Sequence, residues 1–183
     1  MRLLADDGIS ATQLVGIDIV DFWGLGFELF RDQESEFGKA AKFSKGDILD
    51  LDSLERGLGD DGKVDVVYVS QVLHQFDVER QVAAAKNLLA VTRGPGSLIV
   101  GAQIGYQTGR ESLMKVPPGE PQPWMHDGGS WAELWRRVER EMGMELKVET
   151  RLREREEYRM DRETTKFMGE DMRVLEFQVT RVK

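Results

Sequence analysis

The 183-residue sequence contains no cysteine and only two histidines. Disulfides, thiol chemistry and cysteine-bound zinc or iron–sulfur centres are therefore excluded, and little material remains for a transition-metal site, so no metal is expected. Positive charge is in deficit as well: 25 Lys and Arg stand against 33 Asp and Glu, a formal net charge of -8. Nucleic acid and anionic membrane surfaces both select a cationic face, so neither is an expected partner. No apolar run reaches the length of a membrane span, and the first ten residues carry acidic side chains where a signal peptide needs an apolar core. A cytoplasmic location is the expectation. Proline is scarce, five in all, and four of them (Pro117, Pro118, Pro121 and Pro123) crowd into one stretch.

What is present is a chain of one-domain length, 40% hydrophobic and 32% charged. That suffices for a single core spanning 1–183. The stretch around which it is organised is VDVVYVSQVLHQF, Val64 to Phe76. Val64 to Val69 is β-branched and aromatic and too short for a helix, and it predicts a buried parallel strand. Ser70, Gln71 and His74 follow at its carboxyl end, where ligands sit in open α/β sheets.

In chain order, Met1 to Asp7, closed by Gly8, reads as the tail of a helix, and Gln13 to Val20 as a short strand. Asp21 to Arg31 predicts a helix with Asp21 as N-cap and Phe22, Leu25 and Leu29 as its apolar stripe. Ala41 to Phe43 leads to Gly46-Asp47-Ile48, and Asp50 to Gly57 is a short acidic helix or turn before the Gly59-Asp60-Asp61-Gly62 loop. After the organising strand, Asp77 caps a helix over Glu79 to Thr92 that Gly94-Pro95-Gly96 ends. Ser97 to Ile104 is another strand. Gly105 to Gly129, holding the four prolines, predicts a long functional loop or lid, with Trp124 and His126 placed to contact an apolar substrate or simply to face solvent. Ser130 and Glu133 read as a capping box for a helix reaching Met142, with Trp131, Leu134, Trp135 and Val138 on one stripe. Leu146 to Leu152 and Val174 to Val182 alternate as strands around a charged excursion, Arg153 to Asp171. The pattern implies an α/β fold: a doubly wound, mostly parallel sheet closed by an antiparallel C-terminal edge.

QLVGIDIV, FELFRD, FSKGDILD, VDVVYVSQVLHQFD, QVAAAKNLL and GPGSLIVGAQIG, with SWAELW further on, resemble in order and spacing the motifs of class I S-adenosylmethionine-dependent methyltransferases, and more narrowly those of fungal meroterpenoid and related secondary-metabolite pathways. The resemblance implies a Rossmann-like fold, S-adenosylmethionine as cofactor and a small apolar substrate methylated on a carboxyl or hydroxyl oxygen. It places Asp18, with Ile19, on the cofactor ribose; Gly46, Asp47 and Ile48 at the adenine; and Ser70 and Gln71 at the methionine end. The ribose role of Asp18 is the strongest of these assignments, with capping of the following helix as its alternative; Asp47 can as well be an ordinary turn residue, and Gln71 can equally cap its strand. His74 is the candidate catalytic base, though a carboxylate acceptor needs none, and it can equally orient or pack.

The family opens its core with a strand and an Asp/Glu-x-Gly-x-Gly turn, and this sequence contains neither. Gly24-Leu25-Gly26 lies inside a helix pattern and is no substitute. The expectation is an N-terminally truncated methyltransferase-like domain, marginally stable or self-associating as a homodimer. Two other readings stay open: a non-catalytic chain that keeps the fold, and an NAD-dependent oxidoreductase using Asp18 on the NAD ribose, which the missing G-x-G-x-x-G disfavours.

Overall fold

A computed structural model describes residues 1–59 and 62–183, so Asp60 and Asp61 of the expected Gly59 to Gly62 loop lie outside the described residues. The chain separates into two compact units, Met1–Lys63 and Val64–Lys183.

In the first unit, α1 (Arg2–Asp6) ends before Gly8, whose φ of 96° is left-handed backbone that glycine adopts freely. Strands β1 (Val15–Asp18) and β2 (Lys42–Lys45) pair in parallel, with Asp18 opposite Lys45. Between them lie α2 (Trp23–Phe30) and α3 (Glu36–Ala40), the latter capped by Ser35 Oγ accepting from Gly38 N; α4 (Leu51–Leu58) follows, capped by Asp50. The core is Ala11, Leu14 and Phe37 with Phe43 packed against it. Helix α2 starts later than the sequence predicts, because Asp21 accepts from Trp23 N ahead of the helix instead of capping it. Its expected inner stripe is also turned outward: Phe22, Leu25 and Leu29 are 58%, 63% and 73% exposed. Trp23 and Phe27 face inward instead, with ring centroids 4.8 and 5.3 Å from Phe43. Both sides of this helix are apolar, so spacing alone selects the wrong one. Gly16 makes room for the contact, since a Cβ there would lie 2.9 Å from the Trp23 ring.

The second unit is built on a mixed sheet of order β3-β4-β8-β7. Strand β3 (Val66–Tyr68) runs parallel to β4 (Leu98–Tyr106), while β8 (Met172–Arg181) is antiparallel to both β4 and β7 (Leu146–Arg153). Helix α5 (Val78–Ala90) is capped by Asp77, as its sequence predicts, and α6 (Gly128–Met142) starts three residues early because Asp127, not Ser130, is its N-cap. Trp131 of α6 is fully buried and packs on Phe177 at 4.8 Å. Leu175, Phe177 and Val179 form the buried face of β8, the alternation the sequence shows. The organising strand is shorter and more open than expected. Val66 and Tyr68 are 54% and 72% exposed, because β3 is an edge strand and these side chains lie on the face opposite that of Ile99 and Phe177. The proline-rich loop contains a small hairpin, β5 (Arg110–Glu111) with β6 (Trp124–Met125). The charged excursion holds a short helix, α7 (Arg162–Thr165), anchored by the buried Arg155, which donates to Gly169 O, Glu170 O and Thr165 Oγ1.

Candidate functional site

The residues expected to handle a nucleoside cofactor meet at the carboxyl edge of β1 and β2. A parallel pair brings its strand ends side by side, and here Gly46 N donates to Asp18 O at 2.9 Å. The Asp18 side chain is exposed at the end of β1, one oxygen accepting from Val20 N at 3.0 Å. Ile19 beside it is 59% exposed. Gly46 is required by close approach, for a Cβ there would meet Ile17 Cγ2 at 2.7 Å. Asp47 is half-buried: its backbone N donates to Ser53 Oγ at 3.1 Å and its carboxylate accepts from Leu49 N at 2.9 Å, and Ile48 is half-buried next to it. The turn role of Asp47 is thus realised, and the Gly46 N bond to Asp18 O holds that turn at the end of β1. Two carboxylates and an apolar side chain at one strand edge are acceptors for hydroxyl and amine donors with a cover for a flat ring, a donor set that fits an adenosine and offers nothing to a phosphate.

In the second unit, the segment after β3 is bound to the middle of β4. Ser70 Oγ and Gln71 N both donate to Ala102 O, at 3.1 and 2.8 Å. Gln71 has φ 58°, in the left-handed region that a non-glycine residue occupies at a cost of order 1 kcal/mol or more. His74 follows in a 3-10 turn, Leu73–Gln75, and is 6% exposed with no hydrogen-bond partner for Nδ1 among the described residues. Burial pushes its pKa down to about 4, so the ring is neutral near pH 7.

His126 was expected at the lid surface. It is instead 2% exposed, with Nε2 2.8 Å from Gln81 Oε1 and Nδ1 3.0 Å from Ser130 Oγ. Both ring nitrogens are spent inside the fold, so the imidazole faces no open surface. Its pKa also falls to about 4, chiefly through burial, with Asp127 opposing. Trp124, by contrast, is half-buried at the loop's return strand. Gln81 was not anticipated, yet a signal exists: it is a polar residue on the buried face of α5, in line with Ala85 and Leu88. No group of side chains suited to holding a metal ion occurs among the described residues, and no helix among them is long and apolar enough to cross a membrane.

The chain is 37% identical over 155 residues to the O-methyltransferase atr3 of Stereocaulon alpinum, covering 83% of this chain and 43% of that protein. It is 36% identical over 154 residues to the methyltransferase ausD of Penicillium brasilianum, covering 82% and 53%. Among solved structures, the [4+2]-cyclase SpnF superposes with a TM-score of 0.61 at 14% identity, over 99% of this chain and 70% of that one. The glycopeptide N-methyltransferase MtfA, complexed with sinefungin, gives 0.57 at 10% identity, over 95% and 79%. This chain resembles the class I methyltransferases in both sequence and fold. Its architecture is α/β and Rossmann-like, with the antiparallel finish that the sequence predicts. No protein-family model matches it. The chain spans about half the length of the curated relatives it matches. One fold neighbour is a cyclase, a reminder that this fold hosts more than one reaction.

Proposed function

We propose that this chain belongs to the cofactor-binding domain of an S-adenosylmethionine-dependent O-methyltransferase acting on a small apolar metabolite in fungal secondary metabolism. The observation that carries this reading is the joining of Asp18 and the Gly46-Asp47-Ile48 turn at one strand edge by the Gly46 N to Asp18 O bond. Relatives named methyltransferases, two of them O-methyltransferases, support it in sequence, and a fold neighbour holding sinefungin supports the choice of cofactor.

When bound, S-adenosylmethionine supplies a methyl group on a sulfonium whose departure as a neutral thioether needs no proton. The task left to the protein is alignment in a dry site. Asp18 accepts from the ribose hydroxyls, and Asp47 and Ile48 receive the adenine. Ser70 and Gln71 fix the turn beyond β3 against Ala102. His74, held neutral by burial, is a weak base, so a carboxylate acceptor, which needs no base, suits this site better than a hydroxyl. Trp124, at the lid's return strand, offers a flat apolar surface to the acceptor.

Calorimetric titration with S-adenosylmethionine, S-adenosylhomocysteine and NAD separates this reading from a non-catalytic chain, which binds none of them, and from an oxidoreductase, which binds NAD. Asp18→Ala should weaken S-adenosylhomocysteine by roughly 2 to 4 kcal/mol through two lost charge-assisted hydrogen bonds. An unchanged dissociation constant removes Asp18 from the site.

A further inference from the structure

One side chain ties together every segment at the carboxyl end of β3 and β4. Gln81 is fully buried in the first turn of α5, and its amide nitrogen donates to two carbonyls at 2.8 Å: Phe76 O, just past the His74 turn, and Trp124 O, on the lid's return strand. Its carbonyl oxygen is left as an acceptor for His126 Nε2. That assignment fixes the imidazole: Nε2 carries the hydrogen, and Nδ1 accepts from the Ser130 hydroxyl at the start of α6. The backbone follows the same plan, with Trp124 N donating to Phe76 O and Tyr106 N to His126 O, both at 3.0 Å. Gly105 admits this crossing, since a Cβ there would lie 2.4 Å from His126 O.

A buried amide and imidazole with every partner made constitute a rigid joint, and a rigid joint between two loops sets the distance between whatever those loops carry. Here the loops carry the His74 turn on one side and Trp124 on the other. We propose that Gln81 and His126 are positioning residues for the methyl acceptor, holding the Trp124 ring at a set depth and angle beside the His74 turn. The role rests on the methyltransferase reading above. It accounts for the cost of keeping two polar side chains in an apolar layer beside Trp131, whose ring centroid is 5.3 Å from that of His126.

The test uses the full chain carrying Gln81→Met, which keeps the volume and removes all three hydrogen bonds, and His126→Gln, which keeps a donor toward Gln81. The Trp124 signal is isolated by subtracting the same protein with Trp124→Phe. Methyl transfer is read from labelled S-adenosylmethionine onto a panel of apolar phenols and carboxylic acids. In folded Gln81→Met, acrylamide quenching of Trp124 should rise at least threefold and the acceptor KM about tenfold, with kcat and S-adenosylhomocysteine affinity within threefold of wild type. His126→Gln should recover most of both. A folded Gln81→Met with unchanged quenching and KM overturns the proposal, as does a uniform loss of cofactor affinity, kcat and KM together, which marks a purely structural role. Should Gln81→Met not fold, His126→Phe carries the same measurements; failure of both to fold assigns the pair to stability alone and the proposal is withdrawn. Wild-type protein that binds no S-adenosylhomocysteine refutes the methyltransferase reading first, before any variant is compared.

Discussion

The two histidines make the stability of the second unit acid-sensitive above the range in which carboxylates titrate. Each is held near a pKa of 4 by burial, against 6.5 for a free imidazole. The folded pKa is the depressed one, so protons bind the unfolded chain preferentially; stability is complete above about pH 6.5 and drains away as pH falls toward 4. At pH 5 the unfolded histidines are almost wholly charged and the folded ones mostly neutral. Linkage then removes about 2 kcal/mol per histidine, or about 4 kcal/mol for the pair. Against a net domain stability of about 5 to 15 kcal/mol, that is enough to bring the midpoint of unfolding within easy reach. Urea unfolding followed by tryptophan fluorescence at pH 7, 6 and 5 measures it. His74→Leu replaces a ring whose Nδ1 has no partner, and His126→Gln keeps the donor toward Gln81; each should halve the loss between pH 7 and 5, and the double variant should be nearly flat. An undiminished slope in the double variant would falsify the assignment of neutral, buried imidazoles.

Two further substitutions probe how the site is held. Gly101→Ala should destabilise the second unit by roughly 3 kcal/mol or more, because the added Cβ would lie 1.7 Å from Val69 O and 2.9 Å from the Phe177 ring, and thermal unfolding no lower than wild type would refute the close approach. Arg155→Met should loosen the 161–171 segment by removing the donor shared by Gly169 O, Glu170 O and Thr165 Oγ1, which leaves the two carbonyls only the longer bonds from Met172 N at 3.4 Å and Arg173 Nη1 at 3.3 Å, at about 1 to 3 kcal/mol in all; hydrogen exchange should quicken there and not in α6.

The parts of the fold that were legible in the sequence are those where one signal dominates. Asp77 ahead of α5, the apolar stripe of α6 and the alternation of β8 each depend on local chemistry, and each element stands where that chemistry puts it. Helix α2 and strand β3 were misread for a shared reason: periodicity tells which residues are apolar, while neighbours decide which of them are covered. Phe22 and Leu25 lost to Trp23 and Phe27 because Gly16 left space on that side. The short helix α3 was missed, since five residues carry too little period to register. Asp18 at the end of β1 and Asp47 in the turn after β2 were placed in sequence because strand ends and turns select their residue types. His126 was misplaced because a histidine amid prolines reads as a surface residue until Gln81, some forty-five positions earlier, is seen to accept from it.

The carboxyl ends of the strands concentrate features that stability alone would remove. Gln71 is held left-handed, Gly101 and Gly105 give up side chains to admit the Val69 and His126 carbonyls, and Gln81 spends a core position of α5 on an amide. A leucine at position 81 would bury more apolar area, and a β4 without these close approaches could carry side chains at 101 and 105. Each departure has the same effect, which is to bring a backbone segment closer to β4 than ordinary packing allows. Ser70 and Gln71 are drawn to Ala102 in the middle of β4, His126 to Tyr106 at its end, and Phe76 to Trp124, so the turn after β3 and the return strand of the proline-rich loop both lie along the second half of β4. Contacts of this kind hold loops in place at the cost of apolar burial, and they are the physical reason for placing the proposed acceptor beside these loops.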